Sequence, residues 1–138
     1  MAAGNKILFV DDDQHIVQLY TAVFSKAGFN FSIASNGLEA IEKAGTEKPD
    51  LLLLDIMLPD LNGLEVLKKI KQNPQTADIT VWMITNLPEQ MNEATAASYG
   101  ASDYLVKSAH TPKQVVEKIR AFFGEQNPQN PQAPSNRN

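Results

Sequence analysis

The sequence predicts an α/β protein: a doubly wound, five-stranded parallel sheet with helices on both faces. Two observations carry this. Five short apolar runs alternate strictly with longer amphipathic segments, the pattern of repeated strand–helix units. Within each run the apolar residues are continuous rather than alternating, as in strands buried on both sides.

The runs are KILFV (6–10), FSIA (31–34), LLLLD (51–55), TVWMIT (80–85) and DYLV (103–106). After the first, Ile16, Leu19, Tyr20, Val23 and Ala27 form a helical stripe that Gly28 should close. Asn36 precedes a second stripe of Leu38, Ile41 and Ala44. Leu64, Leu67 and Ile70 follow Asn62-Gly63, and Pro74 lies just beyond that helix. Pro88 should open an alanine-rich helix ending at Gly100. Thr111-Pro112 is a cap and first-turn pair for a last helix carrying Val115, Ile119 and Phe122. The strand crossovers should be right-handed.

The chain changes character at Gly124, so the expected organisation is a folded domain over 1–124 and a tail over 125–138. The tail has three prolines, many amides and no apolar residue but Ala133; it cannot offset its ordering entropy and is expected to be disordered. A net charge of −4 argues against a general electrostatic hold on nucleic acid or anionic membrane. Without cysteine there is no disulfide framework and no thiolate chemistry. No apolar run approaches the ~20 residues of a spanning helix, and the first residues lack the features of a signal peptide. A cytoplasmic location is the expectation.

In such sheets, ligands bind outside the carboxyl ends of the strands. Here those ends carry Asp11-Asp12-Asp13, Asp55, Thr85 and Lys107. There is no glycine-rich phosphate loop. Crowded carboxylates repel one another and call for a cation, and hard oxygen donors favour Mg²⁺. A carboxylate beside Mg²⁺ can attack phosphorus and form an acyl phosphate. Mg²⁺, the Lys107 ammonium and the Thr85 hydroxyl would then share the phosphoryl charge. On this reading Asp55 is the phosphoacceptor. A helix cap is the bland alternative, but IMLP follows it and no helical pattern starts before Asn62.

This arrangement resembles the receiver domains of two-component response regulators over residues 5–124. Their pattern is matched by Asp11-Asp12, Asp55, Thr85 and Lys107, with Thr85 and Lys107 at the family's spacing, and by the stretches DIMLPDLNGLEVL and GASDYLVK. The resemblance implies a flavodoxin-like strand order, 2-1-3-4-5. It implies that Asp12, Asp55 and the backbone carbonyl of Met57 hold Mg²⁺, with Asp11 acting mainly through water. It makes Thr85 and Tyr104 a switch pair that re-shapes the face formed by helix 4, strand 5 and helix 5. It places Met57, Asn86 and Leu87 where they tune the lifetime of the phosphoryl group. The implied partners are a histidine kinase or a histidine phosphotransfer protein, plus an output protein the sequence does not name; nucleic acid and membrane are not expected. The chain would be a monomer or a phosphorylation-dependent dimer. It would not be a turnover enzyme, although it would assist its own phosphorylation and dephosphorylation.

Two rivals differ in class. A degenerate receiver would be a docking module indifferent to phosphorylation, against which stands the intact set of site residues. A haloacid-dehalogenase-type phosphatase would also use an Asp after strand one; Asp11 and Asp13 have its D-x-D spacing, but His15 stands where Thr or Val is usual and a cap domain is missing. Other polar residues have plain readings. Asp13 should cap helix one, Asp60 should serve its turn, and His15 and His110 should be surface histidines. Ser108 replaces the usual proline after the lysine, which leaves the Lys107–Ser108 bond open between cis and trans.

Overall fold

The structure is a computed structural model that describes residues 5–86 and 93–126. The strands are β1 (Lys6–Val10), β2 (Asn30–Ala34), β3 (Leu51–Asp55), β4 (Thr80–Thr85) and β5 (Asp103–Val106). The helices are α1 (Gln14–Ala27), α2 (Gly37–Glu47), α3 (Gly63–Gln72), α4 (Glu93–Ser98) and α5 (Pro112–Gln126). All strands pair in parallel, in the order β2-β1-β3-β4-β5. Both the predicted fold class and the strand order are therefore observed.

The four leucines of β3 show why the run is unbroken. Side chains alternate across a strand, and each face of this sheet has its own core. Leu52 and Leu54 join Leu8, Val10, Val81 and Met83 beneath α2, α3 and α4. Leu51 and Leu53 join Ile7, Phe9, Trp82 and Ile84 beneath α1 and α5. All four leucines are fully buried. At roughly 25 cal/mol per Å² of apolar surface, each contributes about 2–3 kcal/mol of burial.

Helix ends follow their local chemistry. Asp13 caps α1, its side chain accepting from the amides of His15 and Ile16. Gly28, at φ 81°, ends that helix in the left-handed region that glycine enters without strain. At α5, Thr111 Oγ1 accepts from Gln114 N at 3.1 Å while Gln114 Oε1 accepts from Thr111 N at 2.9 Å, a reciprocal capping box. The helix continues through Gly124 to Gln126. The predicted start of the α4 segment at Pro88 lies outside the described residues, as do Leu87 and positions 127–138.

Two stripe residues are corrected. Leu19 is 52% exposed and Leu38 63% exposed, although both were expected to face the core. On α1 the inward positions are Tyr20 and Phe24, one turn apart. They pack with Phe9, Tyr20 stacking at 4.6 Å and Phe24 meeting the ring edge-on at 5.8 Å between centroids. That aromatic cluster fills the groove over β1 and leaves Leu19 on the outer side. Leu38 sits in the first turn of α2, where its amide is tied to another loop. On α5, Phe123 is buried beside the partly buried Phe122.

Candidate functional site

Parallel pairing brings the carboxyl ends of all five strands to one edge. Asp11 and Asp12 follow β1, Asp55 ends β3, Thr85 ends β4, and Lys107 follows β5 directly. Register aligns these ends, with Val10 opposite Leu54, Asp55 opposite Ile84, and Thr85 opposite Val106. Residues scattered over 97 positions of sequence thus share one edge because the sheet is parallel.

Carboxylate oxygens of Asp11, Asp12 and Asp55 lie within 4.8 Å of one another. Asp11 is fully buried, Asp55 is 5% exposed, and Asp12 is exposed. Asp11 has both oxygens engaged. Oδ1 accepts from Asp13 N at 3.0 Å, and Oδ2 accepts from Lys107 Nζ at 2.5 Å. Lys107 Nζ lies farther from Asp55, at 3.4 Å from its Oδ2, and its side chain is 7% exposed. The ammonium is therefore held chiefly by Asp11 while reaching Asp55. The exposed Asp12 and the less engaged Asp55 are the carboxylates best placed to meet a cation from solvent.

Burial pushes the Asp55 carboxyl up from an ordinary 3.8 to about 6; Lys107 pulls it down and Asp11 adds to the rise. An anion confined beside another anion is thus only partly neutralised by one lysine. The donor set fits a hard divalent cation: it is all oxygen, it is negatively charged, and it opens to water at Asp12.

The loop between β3 and α3 frames the site. Met57 N donates to Asp55 Oδ1 at 3.4 Å, and the Met57 side chain is 51% exposed. At the base of the loop Gly63 N donates to Ile56 O at 2.6 Å. A Cβ on Gly63 would run into the carbonyl oxygen of Asp55 and lie 2.7 Å from the Ile56 Cα. Only glycine lets α3 start so close to the strand end. Sequence reasoning placed Gly63 merely at a helix start. Glycine just inside a helix, where it is a poor helix former, was the available signal.

Thr85 is buried and Tyr104 half-buried. Met83 pairs with Tyr104 and Thr85 with Val106, so Thr85 and Tyr104 lie on the same sheet face, diagonally across β4 and β5. A cavity of about 40 Å³ between α4 and β5 is lined by Ala96, Ala97 and Tyr104 among others. Asn86 is exposed at the end of β4, and Leu87 lies outside the described residues. The Lys107–Ser108 bond is trans, in a 3-10 turn over Lys107–Ala109. Asp60 does more than serve its turn. It accepts from Gly37 N at 2.7 Å and Leu38 N at 2.9 Å as well as from Leu61 N at 2.8 Å. His15 is exposed, as read, and His110 is half-buried, its Nδ1 3.2 Å from Val106 O.

A larger cavity of about 550 Å³ opens at the opposite edge, between Asn5, Lys48, Asp50, Asp78 and Phe122. Its charged groups do not converge as those at the carboxyl edge do. No helix among the described residues is long and apolar enough to cross a membrane.

A doubly wound sheet with an acidic pair, a buried aspartate and a buried lysine at its carboxyl edge defines a signalling receiver rather than a nucleotide-binding fold. The chain belongs to the response regulator receiver domain family, whose profile matches residues 7–120. It is 40% identical over 120 residues to the alkaline phosphatase synthesis transcriptional regulatory protein PhoP of Bacillus subtilis, covering 87% of this chain and 49% of that protein. It is 33% identical over 131 residues to the phosphate regulon transcriptional regulatory protein PhoB of Pseudomonas aeruginosa, covering 95% and 57%. The chain thus spans about half the length of these curated relatives. Among solved structures it is similar to a CheY-like receiver domain protein from Methanospirillum hungatei, with TM-score 0.79, 30% identity and coverage of 89% and 96%. It is also similar to the BeF3-activated receiver domain of Klebsiella pneumoniae RstA, with TM-score 0.74, 34% identity and coverage of 84% and 96%.

Proposed function

We propose that this protein is a phosphoacceptor response regulator, taking a phosphoryl group onto Asp55 from a histidine kinase or histidine phosphotransfer protein in a Mg²⁺-dependent reaction. The observation that carries this reading is the convergence of Asp55, Asp11, Asp12 and Lys107 at one edge of the sheet. An Asp55 oxygen attacks phosphorus, the P–N bond of the donor's phosphoimidazole breaks, and its electron pair stays on the ring nitrogen. Above about pH 6 Asp55 is mainly the carboxylate this attack requires. Asp12, Asp55 and the Met57 carbonyl would hold Mg²⁺, with Asp11 acting mainly through water. When bound, the ion supplies positive charge to the crowded carboxylates and the phosphoryl oxygens. Lys107 Nζ and the Thr85 hydroxyl then stabilise charge on the transferred group. The protein is not a turnover enzyme; it assists its own phosphorylation and dephosphorylation.

Thr85 and Tyr104 act as the switch. Movement of the threonine hydroxyl toward the phosphoryl group frees space that the tyrosine ring takes, re-shaping the α4–β5–α5 face for an output protein or a second copy of the chain. The cavity beside Tyr104 gives that face slack to repack. The test is labelling with acetyl phosphate. Acid-stable, hydroxylamine-sensitive label should appear in Mg²⁺ buffer and vanish in excess EDTA. Labelling that proceeds unchanged in EDTA would sink the metal reading.

The phosphoryl lifetime should be long. Hydrolysis needs a water in line behind phosphorus, oriented by a polar group. The residues assigned to border it, Met57 and Leu87, are apolar and can neither accept a proton nor hold the water. Met57→Asn combined with Leu87→Glu should shorten the half-life about tenfold, which requires only ~1.4 kcal/mol of transition-state stabilisation. A half-life of seconds in the parent protein, or no acceleration in the double variant, contradicts this.

A further inference from the structure

We infer that Asp60 is a positioning residue for the metal site: by binding the first amides of α2 it holds in place the β3–α3 loop that carries Met57, the proposed carbonyl ligand. This rests on the proposed Mg²⁺ site and assigns part of its affinity to a residue that does not touch the ion.

A helix leaves its first amides without intrahelical partners. In α2 they are divided between two acceptors. Asn36 Oδ1 takes Glu39 N at 2.8 Å, while Asp60, 22 and 23 residues away, takes Leu38 N and Gly37 N at 2.9 and 2.7 Å. The carboxylate also suits the positive end of the helix dipole. The bonds from Gly37, first, and Leu38 hold the Asp60 carboxyl below its usual range. Approach is close as well. A Cβ on Gly37 would lie 2.9 Å from both the Leu61 Cβ and the Val66 Cγ2, and 3.2 Å from Asp60 Oδ1. Gly37 thus lets the helix end abut the loop.

The loop base is fixed by Gly63 N to Ile56 O, and Leu58 and Leu61 pack partly buried against the core, while Met57, Pro59, Asp60 and Asn62 are exposed. Burial thus anchors Leu58 and Leu61, and between them Asp60 adds a hydrogen-bonded tie to α2. Asp60 stands three residues beyond Met57 and spans from the loop to a second element.

Asp60→Ala and Asp60→Asn test this in the full chain, titrated with MgCl₂ alone and followed by NMR, with amide hydrogen exchange and urea unfolding measured alongside. Asp60→Ala should lose protection at Gly37 and Leu38 and weaken Mg²⁺ binding about tenfold, the usual scale for partners that orient a ligand. Asp60→Asn keeps one acceptor oxygen and should fall between. A Kd within twofold of the parent, with protection lost or with only global stability reduced, overturns the proposal. Should Asp60→Ala not fold, the Asn variant decides: weakened binding supports it and unchanged binding overturns it. Absence of Mg²⁺ binding by the parent protein removes the metal reading and this proposal together.

Discussion

Asp55→Asn should take up no phosphoryl label from acetyl phosphate or from a histidine-phosphorylated partner, and in metal-free buffer at pH 7.5 it should be more stable than the parent. The first effect follows from losing the nucleophile. The second follows from the folded carboxyl standing near 6 rather than 3.8, chiefly because burial disfavours its charge. Between about pH 4 and pH 6 the native state holds a proton that the unfolded chain has released. Stability from this group therefore falls as pH rises through that window, and the loss persists above it. Discounted for the water that reaches its rim, the cost at pH 7.5 is about 1–2 kcal/mol, which the neutral amide removes. Urea midpoints for the two proteins should converge near pH 4 and separate by pH 7. Label on the Asn variant would move the phosphoacceptor elsewhere, and equal midpoints at every pH would show that Asp55 bears no burial cost.

Gly63→Ala should destabilise the protein by about 3 kcal/mol, the upper part of the range for overpacking a filled site. The added methyl meets backbone, the Asp55 carbonyl and the Ile56 Cα, rather than a side chain that could swing away. Relief requires α3 or the end of β3 to move, so the rate of Asp55 labelling should fall even at temperatures where the variant remains folded. Urea unfolding and single-turnover labelling measure the two effects. A variant with parental stability would mean that the helix start yields at little cost.

Much of this fold was legible because strand chemistry is local. The bounds of β1, β3, β4 and β5 agree with the apolar runs, and β2 gains only Asn30. The convergence of Asp11, Asp12, Asp55, Thr85 and Lys107 at one edge was legible for a topological reason: parallel strands present their carboxyl ends together. Helix faces were less so. Leu19 and Tyr20 are adjacent on α1, and the inward turn of Tyr20 and Phe24 goes with their packing on Phe9 and, for Phe24, on Phe29 and Phe31 as well. The reach of Asp60 to α2 depends on how α2 and the β3–α3 loop abut, which no spacing in the sequence encodes. The same holds for the closer pairing of Lys107 with Asp11 than with Asp55.

Because β3 offers the same side chain to both cores, its apolar pattern does not distinguish one alignment from the next. Shifting a strand by one residue ordinarily sends its apolar set to the wrong face. Here Leu51–Leu54 would still meet apolar surroundings on both sides. What makes a slip costly is the end of the run, where Asp55 would be drawn about 3.3 Å along the strand and turned to the opposite face. The acceptor carboxylate is thus also the full stop that tells the strand where to end. Loss of a single leucine codon from this run could spare much of the hydrophobic interior while silencing the site, so an apparently well-folded relative with a shortened run would be a poor candidate for phosphotransfer.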